Sequence, residues 1–365
     1  MRRREFLTAL GGAACVGCSL TSRAHAGLPR REVDYYDQLA NNQIQCHVCP
    51  IHCVLSEGDT CFCRTRTNVG GRLFTTAYDN PCILRIDPIE KMPLHHFHPG
   101  SKTLTLGLGG CNLRCLYCQN WEQSQSKPQQ LKTFALDAGQ VVDAAKRKGL
   151  STIAFSYTEP VAFLEWARDV AEAAKRAGLK VVVATAASVN VEPLLDFAQY
   201  VDAFAVSLKG FDDDFYHQAL GARLQPVLKA IKAIKEQTSC WLELTNLIVP
   251  AYNDSEEQNW ALIEWVHTEL GREVPLHFAR FVPTYRLSNL VRTPVRTVEV
   301  SRARAMQVGL AYSYVSNVSP HEGNNTFCGS CGEPAIERLG FEIINNTMRQ
   351  GRCGACGGQI PGRWA

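Results

Sequence analysis

No stretch of this sequence stays apolar for the roughly 20 residues that a membrane-spanning helix requires. A stable membrane span is therefore excluded. No internal repeat is present, which excludes a solenoid, and no low-complexity tract interrupts the chain. Charge of one sign is also scarce. The formal net charge is +3, and residues 1–26 alone carry Arg2, Arg3, Arg4 and Arg23 against Glu5. The remainder is close to neutral, so the chain lacks the basic excess that would draw it to nucleic acid or to an anionic membrane. With 45% apolar and 20% charged residues over 365 positions, it can bury one large catalytic domain and carry small appendages.

Cysteine is in excess, with sixteen residues, and most stand in groups. Cys46, Cys49, Cys53, Cys61 and Cys63 form one, Cys111, Cys115 and Cys118 a second, Cys328 with Cys331 a third, and Cys353 with Cys356 a fourth. Cys15, Cys18, Cys82 and Cys240 stand apart. Gaps of two and three residues let thiolates converge on one centre from a short loop, which favours metal coordination. A disulfide network is the alternative.

From Leu104 to Val318 short apolar runs alternate with amphipathic stretches, the pattern of strand–helix units around a parallel sheet. Strands are expected over Leu104–Leu108, Thr152–Ser156, Val181–Thr185, Ala203–Leu208, Leu242–Val249, Leu276–Phe281 and Tyr312–Asn317. Helices are expected over Asp137–Lys148, Val161–Ala177 and Ser255–Leu270. The reading is an α/β fold: a TIM-like, partial β/α barrel of about six strand–helix units, with small Cys-rich metal modules at both ends. The expected boundaries are a leader over 1–26, a Cys-rich region over 27–100, the barrel over 101–320 and a zinc-ribbon-like module over 321–365. In such barrels the chemistry sits in loops after the carboxyl ends of the strands, which is where Gly109–Asn120 falls.

That loop reads Cys111-Asn-Leu-Arg-Cys115-Leu-Tyr-Cys118. A four-iron cluster has four corners, so three thiolates leave one iron free. An open iron can chelate the amino and carboxylate groups of S-adenosylmethionine, and one electron from the cluster then releases a 5'-deoxyadenosyl radical that abstracts hydrogen. At these residues the sequence resembles the radical SAM superfamily. The resemblance extends over roughly residues 44 to 364 through Asp87-Pro-Ile-Glu-Lys-Met-Pro-Leu-His-His-Phe97, Pro99-Gly100, Cys118-Gln-Asn-Trp121 and Ser124-Gln125. These segments resemble the radical SAM member of the AmmeMemoRadiSam system, which is related to the activating enzymes of pyruvate formate-lyase.

The resemblance implies a [4Fe-4S] cluster on Cys111, Cys115 and Cys118, with Tyr117 near the adenine of S-adenosylmethionine. It also implies that Glu159, in Tyr157-Thr158-Glu159-Pro160, receives the ammonium of the methionine moiety; a helix start is the competing role for that segment. Lys209, Asn246 and His277, at or near strand ends, complete the expected cofactor-binding set. Ser207 stands where relatives carry aspartate, Ala186-Ala187 where they carry Asn-Gly, and Val282 where they place histidine. Relatives also share Cys46, Cys49, Cys53 and Cys63, expected to hold zinc or an auxiliary cluster, while Cys61 is an additional thiol.

Cys328-x2-Cys331 and Cys353-x2-Cys356 suit tetrahedral zinc or a rubredoxin-like iron. The expected partners are an electron donor such as flavodoxin or ferredoxin and a substrate that is a protein glycine or a small molecule. The first 26 residues, with Arg3-Arg4-Glu5-Phe6-Leu7 and Ala24-His25-Ala26, resemble a twin-arginine export signal. Export to the periplasm is expected, with a cytoplasmic location as the alternative because S-adenosylmethionine is made there. The second functional reading is a non-catalytic exported iron–sulfur or electron-transfer protein on the same scaffold.

Overall fold

The computed structural model describes residues 30–364; the leader read over 1–26, with Cys15 and Cys18, lies outside the described residues. At its centre is a sheet of eight strands: β1 (Ile83–Pro88), β2 (Lys102–Gly107), β3 (Thr152–Phe155), β4 (Lys180–Thr185), β5 (Ala203–Ser207), β6 (Trp241–Ile248), β7 (Leu276–Arg280) and β8 (Ser313–Ser316). They lie side by side in chain order. Strands β2 to β8 are parallel, and β1 runs antiparallel to β2. The edges β1 and β8 do not pair, so the barrel is open. All seven strands expected from the apolar runs are present, each within two residues of its expected bounds. The eighth, β1, mixes exposed and buried positions, as a one-sided edge strand does.

Helices α1 (Ala138–Arg147), α2 (Leu164–Arg176), α3 (Val191–Ala198), α4 (Leu224–Gln237), α5 (Glu256–Trp265) and α6 (Val295–Val308) cross between the strands. Local chemistry fixes their starts. The Asp137 carboxylate accepts from Gln140 N, and the Gln140 side chain accepts from Asp137 N, a reciprocal cap on α1. Ser255 Oγ accepts from Gln258 N and caps α5 from one side only. One face of α2, formed by Leu164, Ala167, Val170, Ala171 and Ala174, is buried in the large core. Against it pack Ile153, Phe155, Val181, Val183 and Phe204 of the sheet. The alternate residues Ala154, Val182, Ala203 and Ala205 point to the other face. There they meet Ile89, Met92, Leu94 and Phe97, from the segment after β1. That segment fills the inside of the open barrel.

Polar groups fasten this inner segment. The buried Glu243 carboxylate accepts from His95 N (3.0 Å), His96 N (2.8 Å), Trp241 Nε1 (2.9 Å) and His277 Nε2 (2.9 Å). Arg338 donates to His95 O at 2.9 Å, which ties the carboxyl-terminal region to the same place. Two small three-stranded sheets precede the barrel. A third, of Thr326–Phe327, Pro334–Leu339 and Glu342–Asn346, follows it. Among the described residues no helix is long and apolar enough to cross a membrane.

The amino-terminal region is held to the barrel by a buried ion pair. Arg66 donates to both carboxylate oxygens of Glu165, at 3.0 and 2.9 Å, with side-chain exposures of 2% and 3%. Removing one partner leaves the other charge buried alone, which costs about 3–5 kcal/mol. Glu165→Gln is therefore expected to lower the unfolding free energy by that amount in chemical denaturation; a loss below about 1 kcal/mol would contradict a desolvated pair.

Candidate active site

The loop after β2 turns at Gly110, where φ is +97°. A Cβ there would stand 2.4 Å from Thr65 Cγ2 and 2.7 Å from Cys63 O, so glycine alone allows this approach. Backbone bonds then pin the loop from three sides. Cys111 N donates to Cys63 O (3.2 Å), Arg114 N to Leu220 O (2.7 Å) and Leu116 N to Ala219 O (3.0 Å), while Leu116 O accepts from Arg286 N (3.0 Å).

Cys111, Cys115 and Cys118 all line a cavity of about 540 Å³ at the carboxyl end of the sheet. Cys111 and Cys115 are buried and Cys118 is half-buried; none is disulfide-bonded. Burial pushes the Cys111 thiol well above its ordinary range, and the Glu159 charge adds to the shift. Burial pushes Cys115 up to about 11, against the pull of the Lys209 ammonium. Such thiols lose their protons when a metal binds them.

Tyr117, Glu159 and Lys209 line the same cavity. The Tyr117 ring is stacked near-parallel to Phe215 at 6.5 Å and edge-on to Phe281 at 6.4 Å. Its hydroxyl is buried without a hydrogen-bond partner, a state that calls for one. Glu159 follows β3 and precedes Pro160 of a short helical turn, so the site role and the helix-start role fall on one residue. Its carboxylate accepts from Thr185 Oγ1 (2.5 Å) and Ala186 N (2.8 Å). Burial raises its pKa above the usual carboxylate range, and those two donors act against the rise.

Asn246 and His277, expected at the cofactor, do not line this cavity. Asn246 Nδ2 donates to Leu208 O at 3.0 Å, fixing the neighbouring strand. His277 is the second residue of β7, at the end of the sheet opposite the cysteine loop, and is bound to Glu243. Conversely, the spacing of residues gave no sign of the Asp87–Lys91–Tyr157 triangle at the cavity wall. Lys91 Nζ donates to Asp87 Oδ1 and to Tyr157 Oη, both at 2.8 Å, and Tyr157 Oη donates to Asp87 Oδ2 at 2.6 Å. Tyr157 holds φ at +70°, with Asn120 Nδ2 donating to its carbonyl at 2.9 Å. A strained non-glycine residue beside the cysteine loop is a usable signal, but it exists only in three dimensions.

The carboxyl-terminal cysteines come together. The sulfurs of Cys328, Cys331, Cys353 and Cys356 all lie within 4.8 Å of one another, two pairs at 3.7 Å. Four sulfurs at 2.3 Å from a tetrahedral ion stand about 3.8 Å apart. In the amino-terminal set Cys46, Cys49, Cys61 and Cys63 are buried, Cys53 is half-buried, and none is disulfide-bonded.

Residues 107–266 match the radical SAM superfamily model. An uncharacterized protein of Methanocaldococcus jannaschii is 42% identical over 332 residues, covering 90% of this chain and 98% of its own. Among solved structures, a domain of pyruvate-formate lyase-activating enzyme from Bacteroides vulgatus is similar at TM-score 0.40 and 13% identity, covering 45% of this chain and 98% of its own. A radical SAM methyltransferase from Sphaerobacter thermophilus is similar at TM-score 0.46 and 16% identity, covering 65% and 71%. The chain belongs to the radical SAM superfamily.

Proposed function

We propose that Cys111, Cys115 and Cys118 hold a [4Fe-4S] cluster whose fourth iron binds S-adenosylmethionine in the adjoining cavity. The observation that carries this reading is the set of three unbridged thiols on one cavity wall, with no fourth cysteine among the residues lining it. When bound there, the pair supplies one-electron cleavage of a carbon–sulfur bond and a 5'-deoxyadenosyl radical that takes hydrogen from a protein glycine or a small molecule.

The chain's own residues do the rest. Glu159, pre-set by Thr185 and Ala186 N, accepts the ammonium of the methionine moiety. The unpartnered Tyr117 hydroxyl and its clamped ring offer a polar and a flat contact for the nucleoside. Lys209 places a cation across from Glu159. Phe341 and Val282, both half-exposed cavity-lining residues, restrict water at the mouth. Ser207, Ala186 and Val282 line this cavity too, so the departures from the family pattern shape the substrate's space. An electron donor such as flavodoxin or ferredoxin supplies the reducing equivalent.

Anaerobically reconstituted protein, reduced with dithionite, is expected to change its electron paramagnetic resonance on adding S-adenosylmethionine and to release 5'-deoxyadenosine. Cys115→Ala abolishes both. Glu159→Gln keeps the cluster signal and weakens the S-adenosylmethionine response about tenfold, the size of one charge-assisted hydrogen bond. Iron retained by the wild-type chain with neither response would instead support a non-catalytic electron carrier.

The carboxyl-terminal four-sulfur set is proposed to hold zinc as a structural staple. Removing it with a chelator is expected to lower the melting temperature, and metal analysis of Cys331→Ser should lack one zinc. Unchanged zinc content would refute the assignment. Export is proposed for the leader: a folded reporter behind residues 1–29 is expected in the periplasm, and substituting Arg3 and Arg4 with lysine should keep it in the cytoplasm. Reporter export that ignores those substitutions would rule the pathway out.

A further inference from the structure

We infer that Asp87, Lys91 and Tyr157 form a positioning device that holds Tyr157 in a left-handed backbone conformation and so sets the distance between Glu159 and the cysteine loop. On the proposed reading of Glu159 as acceptor of the methionine ammonium, on which this role rests, that distance decides how well S-adenosylmethionine fits.

The backbone alone does not favour this conformation. Strand β3 ends at Phe155, Ser156 N still donates to Leu106 O of β2 at 2.9 Å, and the next residue turns to φ +70°. A residue with a Cβ is strained there, and glycine would adopt the turn freely. Tyrosine persists in such a place only where its surroundings over-determine it. Here they do so at both ends of the residue. At the tip of the side chain, Lys91 Nζ donates to Tyr157 Oη at 2.8 Å and Tyr157 Oη donates to Asp87 Oδ2 at 2.6 Å. Lys91 Nζ closes the triangle on Asp87 Oδ1 at 2.8 Å. Two cations stand over the ring, Arg85 at 5.6 Å and Lys91 at 5.2 Å from its centre. On the backbone, Asn120 Nδ2 donates to Tyr157 O at 2.9 Å.

These contacts come from two parts of the chain. Arg85, Asp87 and Lys91 belong to β1 and the turn after it, whose continuation fills the barrel and is fastened by Glu243. Asn120 stands two residues after Cys118. Its carbonyl accepts from Ser124 N at 2.9 Å, and Ser124 Oγ lies 3.2 Å from Cys118 Sγ. Tyr157 therefore joins the filling of the barrel to the third cysteine. Glu159 follows on the same turn, and between them Thr158 Oγ1 donates to Leu108 O at 2.7 Å.

The division of labour is geometric. Thr185 Oγ1 and Ala186 N fix where the Glu159 carboxylate points, and the turn at Tyr157 fixes how far it stands from Cys118. An amino group shared between a metal and a carboxylate tolerates little error in that distance. A role for Tyr157 as a base fits less well. Burial pushes its hydroxyl above the ordinary range and the Asp87 bond adds to the rise, so at neutral pH it keeps its proton and donates it to Asp87.

Equilibrium dialysis of radiolabelled S-adenosylmethionine against the anaerobically reconstituted full chain tests the device. Tyr157→Phe and Asp87→Asn are each expected to weaken binding about tenfold, with iron content and the cluster resonance unchanged. The double variant should lose no more than about either alone, since the groups act as a unit. In a Glu159→Gln background, Tyr157→Phe is expected to change binding by less than about twofold, because it acts through Glu159. Apart from the cofactor, hydrogen exchange at the amides of Thr158 and Ala162 should quicken about tenfold in Tyr157→Phe. Full affinity in both single variants, additive losses with Glu159→Gln, or unchanged exchange in Tyr157→Phe overturns the inference. A wild-type chain that binds no S-adenosylmethionine overturns the reading of Glu159 itself.

Discussion

The proposed site depends on a mismatch of number: a four-iron cluster has four corners, and the cavity wall presents three sulfurs. Everything near the loop works to keep that mismatch. Gly110 lets the loop enter against Cys63 O, and backbone bonds to Leu220, Ala219 and Arg286 hold it on the far side. Cys46, Cys49, Cys53, Cys61 and Cys63 do not line the cavity. A loop so constrained brings three thiols and no fourth to the cavity wall, as the proposed open iron requires.

The barrel supplies position rather than chemistry. Parallel strands bring the loops after β2, β3, β4, β5 and β7 to one end, so that Cys111, Glu159, Ala186, Lys209 and Val282 face a common space although they are far apart in the chain. Since the sheet is open, its inner face needs a cover. The segment from Ile89 to Phe97 provides it, held by Glu243 and, through His95 O, by Arg338 of the carboxyl-terminal hairpin. The tip of that hairpin, Phe341, reaches the cavity mouth. The terminal modules therefore touch the site from both sides: one braces the cluster loop, the other borders the entrance.

Much of this architecture was legible in the sequence, because a strand buried on both faces must be apolar along its length. Val181-Val-Val-Ala-Thr185 and Ala203-Phe-Ala-Val-Ser207 announce themselves in that way. The three-cysteine loop was legible for a different reason, since short-range spacing is itself the chemical requirement, whereas the role of Glu159 was reached through the family resemblance. What escaped depends on distance through space. Asp87 and Tyr157 meet across 70 residues, and no local pattern encodes that contact. His277 and Asn246 sit on strands whose alternation tells which face a side chain takes. It does not tell how far along the barrel axis the side chain lies. Hence both were expected at the cofactor, and His277 instead closes the opposite end with Glu243. Among the amino-terminal cysteines, spacing gave five candidates for four places.

The central claim is that one iron of the cluster on Cys111, Cys115 and Cys118 is open to S-adenosylmethionine. Electron–nuclear double resonance on the reduced protein, with S-adenosylmethionine labelled with nitrogen-15 at its amino group and oxygen-17 at its carboxylate, tests this most directly. The account predicts hyperfine coupling of both labels to the cluster, lost in Cys115→Ala. A cluster spectrum indifferent to both labels, with S-adenosylmethionine bound at saturation, would contradict it.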